Sequence, residues 1–132
     1  MKNRNFLESF KNALNGVVYV CKNERNMKVH LLLAVVVLIL SFVYNINSIE
    51  FAVVCLTIGL VIVCEMFNTA IEVLIDMLVK EYNLKAKIAK DIAAGAVFVS
   101  AAVSMIVGYF VFFDKLLGTF EILINIINAG IA

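Results

Sequence analysis

The chain contains no proline, no tryptophan and a single histidine, and charged residues make up only 16% of its 132 positions. A soluble domain of this length would carry more charge and more turn-forming residues. Hydrophobic residues instead reach 64%, and the mean hydropathy is +1.02. The composition therefore excludes an ordinary soluble domain and predicts an integral membrane protein.

Cysteine is also scarce, with Cys21, Cys55 and Cys64 as the only examples. The number is odd and two of the three lie in apolar runs, so we expect reduced thiols and no disulfide framework. A cleavable signal peptide is not expected either. The first apolar run begins only near Val29, after a long charged lead, and no small-residue cleavage pattern follows it.

Three apolar runs cover residues 29–44, 51–78 and 88–113. A membrane-spanning helix needs about 20 residues, so the second and third runs are long enough, and the first reaches this length with its preceding turn. Ahead of them, residues 9–21 place apolar side chains at helical spacing with polar residues between. We predict an all-α integral membrane protein, with an amphipathic interfacial helix followed by three transmembrane helices.

The tail, residues 116–132, is apolar but interrupted by polar residues and glycine. It is too short and too polar for a fourth span, so we expect a helix on the outer surface. No repeat, linker or boundary is visible, and residues 1–132 are predicted to form one domain. Its parts would be an N-terminal segment (1–28), a transmembrane core (29–113) and a C-terminal extension (114–132).

Charge placement predicts the orientation of the chain in the membrane. All but one of the 11 Lys and Arg residues lie in two blocks, and the loop at residues 45–50 contains none. Positively charged loops stay in the cytoplasm, so the N-terminus and the second loop are expected there. The first block is Lys2, Arg4, Lys11, Lys22, Arg25 and Lys28, and the second is Lys80, Lys85, Lys87 and Lys90.

The second span carries three polar residues, Glu65, Asn68 and Glu72. Their spacing of three and four places them on one face of a helix. A charged group inside lipid costs several kcal/mol on insertion scales, so acids of this kind indicate a functional site. Glu65 lies about 21 Å along the helix from the outer end of the span, which places the site in the cytoplasmic half.

Each of these residues admits two interpretations. Glu65 could be a desolvated general base, or a protonated carboxyl group that hydrogen-bonds between helices. Asn68 could hold a polar substrate group or pack against another helix. Glu72 and Glu24 could clamp one Mg²⁺, since this ion prefers carboxylates together with substrate phosphates. Taken alone, Glu24 would be a solvated charge at headgroup level.

The start of the third span adds Lys90 and Asp91 at the same membrane surface. Lys90 offers a positive charge to a phosphate, and Asp91 could accept from a ribose hydroxyl or hold Lys90. Neither a Walker A loop nor the glycine loop of protein kinases is present, so helix residues would have to form any nucleotide site. Asp76 is expected in an ordinary interfacial role, and His30 in interfacial hydrogen bonding.

Several of these segments together resemble one known family. They are the stretch Glu-Met-Phe-Asn-Thr-Ala-Ile-Glu at residues 65–72, Asp76, Glu81-Tyr82, and Ala-Lys-Asp at 89–91 with Ala-Ala-Gly-Ala-Val at 93–97. They resemble the prokaryotic diacylglycerol kinase family. Residues 24–30, Glu-Arg-Asn-Met-Lys-Val-His, are similar to its Gram-positive branch, whose members mostly phosphorylate undecaprenol.

The resemblance implies a homotrimeric helical bundle in the bacterial cell membrane, with ATP and Mg²⁺ bound at the cytoplasmic rim. By the same resemblance, Glu65 is the catalytic base, and Glu24 and Glu72 are the metal ligands. The nucleotide site would consist of Asn68, Lys90 and Asp91 together with those two ligands.

Two departures from the family pattern stand out. Residues 83–84 are Asn-Leu in place of the usual His-Pro, and residues beyond 114 exceed the usual end of the fold.

The sequence therefore favours a lipid kinase that phosphorylates undecaprenol, with diacylglycerol as the alternative acceptor. Membrane lipid, ATP and further copies of the chain are the expected partners, and nucleic acid is not. Intramembrane acids are also typical of proton- or ion-coupled transporters. A transporter would need polar residues through the outer half of the second span, where only Thr57 and Gly59 occur. A non-catalytic assembly subunit would explain the small residues of the third span but not Glu65.

Overall fold

The computed structural model describes residues 5–131 and contains four α-helices with no strand in that range. Residues 1–4 and 132, the two ends of the predicted domain, lie outside the described part. The last three helices are long and apolar enough to cross a membrane, which confirms the three predicted spans and the all-α class. The helices are α1 (Phe6–Asn23), α2 (Arg25–Val43), α3 (Ser48–Leu78) and α4 (Leu84–Ile131).

Glu24 forms the corner between α1 and α2. Its backbone is extended (φ −91°, ψ 126°), and its N–H donates to the carbonyl oxygen of Val20 at 2.9 Å. The predicted helix of residues 9–21 lies wholly inside α1, which is longer at both ends. Glu24 thus ends α1 and begins α2, so its carboxylate stands at the junction of two helices.

The turn from α2 to α3 is defined by short polar side chains. Asn45 adopts the left-handed region (φ 46°), which asparagine tolerates better than most residues. Asn47 then caps α3: its Oδ1 accepts from the N–H of Ile49 and Glu50, and the Glu50 carboxylate accepts from the N–H of Asn47 at 2.9 Å. This reciprocal capping box satisfies amide groups that the first turn of α3 would otherwise leave unpaired.

Two ion pairs join α3 to α4, one near each end of the membrane-spanning region. Lys115 donates to Glu50 at 3.0 Å, and Lys90 pairs with Asp76. The two acids are separated by about 39 Å of helix, close to the 40–45 Å of a bilayer with its headgroups. The pairs fix the antiparallel register of α3 and α4. We call the end with Lys90 the basic end and the end with Lys115 the distal end.

The tail is not a separate surface helix, so that prediction is wrong. Helix α4 continues without interruption from Leu84 to Ile131. Gly118 is the one weak helix former near the expected break, and a glycine costs only about 1 kcal/mol in a helix interior. The side chain of Thr119 also reaches Tyr44, the residue that follows α2, with 3.3 Å between the two hydroxyl oxygens.

The packed apolar core is small and lies near the distal end. Val54 of α3 packs there with Val111 and Phe112 of α4, and the Tyr44 ring of α2 lies 6.4 Å from the Phe112 ring. Most other large apolar side chains of α2, α3 and α4 are exposed on the single chain. Such surfaces suit contact with lipid or with other membrane helices, and not with water.

We expect the distal ion pair to contribute to stability. Lys115→Met should lower the free energy of unfolding by more than Lys87→Met does, because the Lys115–Glu50 pair joins two helices and each of its side chains is 28% exposed. Lys87→Met is the matched control, since Lys87 pairs with Asp91 within α4 and both side chains are largely exposed. Denaturant titration in detergent micelles measures both variants. Equal losses would show that the distal pair does not hold the helices together.

Candidate functional site

The structure brings the three polar residues of α3 onto its buried face, as their spacing predicts. Glu65 is only 1% exposed, Asn68 is 7% exposed, and Glu72 is half-buried one turn nearer the basic end. Helix α4 packs along this face of α3, and its small residue Ala93 is buried there. By the register of the two ion pairs, Ala93 lies level with Glu72, so α4 can approach that carboxylate closely.

The hydrogen bonds of this face leave two oxygens free. Asn68 donates through Nδ2 to Glu72 Oε1 at 3.2 Å, and Thr69 donates to the backbone oxygen of Glu65 at 3.0 Å. Within residues 5–131, neither Glu65 Oε2 nor Asn68 Oδ1 has a hydrogen-bond partner, although both atoms are buried. Buried polar atoms are normally paired, so two unpaired acceptors on one face point to a place where a ligand binds.

Glu24 approaches this face from the corner between α1 and α2. It is half-buried, and it is one of three groups, with Glu72 and His30, that lie near enough to Glu65 to act on its charge. In the described part of the chain, no three carboxylate, histidine or cysteine side chains form a ready metal cluster. The oxygens available here are the carboxylates of Glu24 and Glu72 and the amide oxygen of Asn68. Such oxygens suit Mg²⁺ when substrate phosphates complete its coordination.

The ion pairs at the basic end differ from the expected partners. Lys90 of α4 binds Asp76 of α3, and Asp91 binds Lys87 one turn earlier on α4 at 3.1 Å. Asp91 therefore does not hold its neighbour Lys90. Asp76, expected in an ordinary interfacial role, pairs with Lys90 across the two helices while its own side chain stays largely exposed.

A shallow, open cavity lies beside these pairs, at the turn between α3 and α4. Asp76, Tyr82, Lys87 and Lys90 line it. Sequence reasoning missed Lys87 as a site residue, although its position four residues before Asp91 is the spacing of an ion pair on a helix. Asp76 and Glu81 line the same cavity as the two lysines, and each lysine is paired with an acid, so an anion that binds there has to compete with Asp76 or Asp91 for the lysines.

The fold and the site define a helical membrane protein whose candidate functional residues lie toward one end of its bundle. Residues 11–112 match the prokaryotic diacylglycerol kinase family, and the chain belongs to that family. The undecaprenol kinase of Bacillus subtilis is 40% identical over 111 residues, which cover 84% of this chain and 90% of the relative. The diacylglycerol kinase of Synechocystis is 41% identical over 105 residues, covering 79% of this chain and 60% of that protein.

Membership of this family makes the chain a lipid kinase, a phosphotransferase that takes its phosphate from ATP. The kinase prediction is confirmed, and the transporter and assembly-subunit alternatives are set aside. The roles of Glu65, Asn68, Glu72, Glu24, Lys90 and Asp91 stay predictions.

Proposed function

We propose that this kinase transfers the γ-phosphate of ATP to undecaprenol, giving undecaprenyl phosphate and ADP. The observation that carries the proposal is the buried α3 face on which Glu65, Asn68 and Glu72 lie together with two unpaired oxygens. A relative of 40% identity that the chain spans for 90% of its length is an undecaprenol kinase, which supports this acceptor. Diacylglycerol is the second candidate, and the relative from Synechocystis supports it.

Glu65 is the proposed general base. Its carboxylate removes the proton from the lipid hydroxyl, and the resulting oxygen forms a bond to the γ-phosphorus of ATP. The bond between that phosphorus and the bridging oxygen breaks, and ADP leaves with the electron pair. Because the Glu65 side chain is almost fully buried, the hydroxyl is deprotonated where water is scarce, which favours transfer to lipid over hydrolysis of ATP.

Glu24 and Glu72 are the proposed ligands of Mg²⁺, and Asn68, one turn from Glu72 on α3, keeps its Oδ1 without a hydrogen-bond partner. The ion supplies neutralisation of the phosphate charge, which phosphoryl transfer generally requires. The bond from Asn68 Nδ2 to Glu72 Oε1 holds the Glu72 carboxylate in place and leaves its second oxygen available. Asn68 is thus a positioning residue for Glu72 as well as a nucleotide contact.

The cavity at the basic end is the proposed binding site of the nucleotide. Lys90 binds a phosphate as a point charge, and Asp76 limits the positions that its flexible stem can adopt. Asp91 accepts a hydrogen bond from a ribose hydroxyl of ATP, which displaces Lys87 from its ion pair with Asp91. This arrangement requires the basic end to face the cytoplasm of a bacterial cell membrane, where ATP is present, as the distribution of Lys and Arg indicates.

The exposed apolar faces of the helices determine how the chain sits in the membrane and assembles. Helix α1 lies in the membrane interface, since its apolar residues Phe10, Leu14 and Val17 share one face. The chain forms a homotrimer in which the exposed apolar faces of the spans are covered by the other copies and by lipid.

Glu65→Gln tests the general base. The substitution keeps the shape of the side chain but removes the acceptor for the proton, so kcat should fall at least about a hundredfold, within the range of general-base catalysis. Nucleotide binding and folding should be retained, because Glu65 holds neither ATP nor another element. Glu121→Gln, an exposed acid in the distal part of α4, is the matched control and should retain full turnover. Near-normal kcat in Glu65→Gln would remove Glu65 from the mechanism.

Glu24→Gln and Glu72→Gln test the shared metal site. Each change should raise the Mg²⁺ concentration required for half-maximal activity. The double change should cost less than the sum of the two, because residues that act as a unit are not additive. Asp114→Asn at the distal end controls for a general loss of negative charge. Additive effects of the two Glu→Gln changes on the Mg²⁺ requirement would argue against one shared ion.

The choice of acceptor is tested by competition in mixed micelles that hold undecaprenol and diacylglycerol at equal mole fraction. The two lipids differ mainly in apolar bulk near the hydroxyl, and apolar pockets discriminate such differences by about 1–3 kcal/mol. Undecaprenol should therefore be preferred by roughly tenfold to a few hundredfold in kcat/KM. Faster consumption of diacylglycerol would make diacylglycerol the acceptor and leave the kinase activity intact.

A further inference from the structure

The end of α4 extends past the other helices. Lys115 pairs with Glu50 near the start of α3, and the Thr119 hydroxyl lies 3.3 Å from that of Tyr44. Within residues 5–131, no hydrogen bond or ion pair joins α4 to another helix beyond Thr119. The tail forms about 24 Å of helix after Lys115. The family match ends at residue 112, so the tail lies outside the fold that the family shares.

The apolar residues here follow a seven-residue repeat. Spacings of three and four alternate along a row that we call the tail seam, formed by Phe113, Leu116, Phe120, Leu123 and Ile127. This alternation is the signature of helices that pack side by side along their length.

The polar residues occupy other positions of the same repeat. Asp114, Glu121 and Asn128 recur at intervals of seven on another side of the helix, with Asn125 between the last two. The seam is flanked by the apolar residues Leu117, Ile124 and Ile126. Between residues 116 and 129, Ile122 is the one large apolar residue away from it. An apolar side of this width is typical of helices that face the core of a bundle.

The tail seam is uncovered in the single chain. Its five side chains are 38–60% exposed. Val111, which packs against Val54 of α3, lies about 160° around α4 from the middle of the seam. The seam therefore points away from α3, and its partner has to come from outside the chain.

The tail seam also continues a row on the membrane-spanning part of α4. Ile92, Val99 and Ile106 precede Phe113 at intervals of seven, and these three are 57–68% exposed. Helix α4 is uninterrupted from Leu84 to Ile131, so the row and the seam keep one register. The drift of about 20° per heptad is the amount that a left-handed supercoil takes up.

Lipid does not cover the seam beyond Thr119. Glu50 and Asp76 are separated by about 39 Å of helix, so Lys115, beside Glu50, lies at the headgroup level of the bilayer. The continuous helix then carries Phe120, Leu123 and Ile127 beyond that level, where uncovered apolar side chains are unfavourable. Copies inserted in the same orientation hold their tails at the same height and in the same direction. They meet in the parallel arrangement and register that a seven-residue repeat requires.

We propose that the tails of neighbouring copies pack together along the tail seam, as a parallel helical bundle outside the membrane. The partner of this surface is a second copy of the chain. The inference goes beyond the kinase function and adds to the proposed homotrimer an interface outside the family fold. A helix of about two heptads is too short to associate alone. The membrane spans overcome this limit, because they hold the tails at a high effective concentration.

Cysteine cross-linking of the full chain in lipid vesicles tests the proposal. Each variant carries one thiol, after Cys21, Cys55 and Cys64 are replaced by alanine. Leu123→Cys places the thiol in the seam, and Asn125→Cys is the matched control on the polar side. With copper phenanthroline as oxidant, Leu123→Cys should form a covalent dimer and Asn125→Cys should stay monomeric. The dimer yield should not change when the vesicles contain more lipid per protein, because the tails belong to one assembly.

A charge in the seam tests whether packing brings the thiols together. Phe120→Glu, combined with Leu123→Cys, should abolish the dimer. Asn125→Glu adds the same charge on the polar side and should leave the dimer yield unchanged.

Equal dimer yields from Leu123→Cys and Asn125→Cys, or a yield that falls with added lipid, would indicate random collisions and overturn the proposal. A dimer that survives Phe120→Glu would overturn it as well. Phosphorylation of lipid by the wild-type chain is measured separately. Its absence would refute the proposed function and leave the cross-linking result unaffected.

Discussion

The structure depends on one constraint, the high free energy of a carboxyl group in hydrocarbon. Glu65 must face the other helices, and this requirement decides which side of α3 is buried. Residues three and four positions from Glu65 lie on the same face of α3, so this face continues from Glu65 in both directions along the helix. Toward the basic end it presents Asn68 and Glu72, and toward the distal end it presents Val61, Ile58 and Val54, which line an apolar groove between α2, α3 and α4. A single helical face thus changes from polar to apolar side chains at Glu65.

This arrangement explains how a short chain can join a water-soluble donor to a membrane-bound acceptor. In the proposed mechanism, ATP reaches the cavity beside Lys90 from the aqueous side, and the lipid hydroxyl reaches Glu65 from the bilayer. The ion pairs Asp76–Lys90 and Glu50–Lys115 join α3 and α4 in an antiparallel register that places Lys90, a proposed nucleotide contact, one turn beyond Glu72 toward the basic end. The protein needs no separate nucleotide-binding domain, because positioning and charge neutralisation are the main requirements of phosphoryl transfer.

Composition and periodicity predicted the three spans and the shared face of Glu65, Asn68 and Glu72, since both follow from local spacing. They did not predict that α4 continues through the tail, because isolated polar residues and glycines weaken a helix without ending it, and α4 contains no proline. The partners of Lys90 and Lys115 were also beyond sequence reasoning. Lys115 and Glu50 are far apart in the chain, and their contact depends on the register of α3 against α4. The groove depends on three helices at once, so no local pattern indicates it.

The central claim is that phosphate passes directly from ATP to the lipid hydroxyl, with Glu65 taking the proton. The most direct test uses ATP made chiral at the γ-phosphorus with oxygen isotopes and analyses the configuration of the lipid phosphate formed. One in-line displacement predicts inversion at phosphorus. Net retention would require two displacements through a phosphorylated side chain, and it would contradict the role of Glu65 as a base.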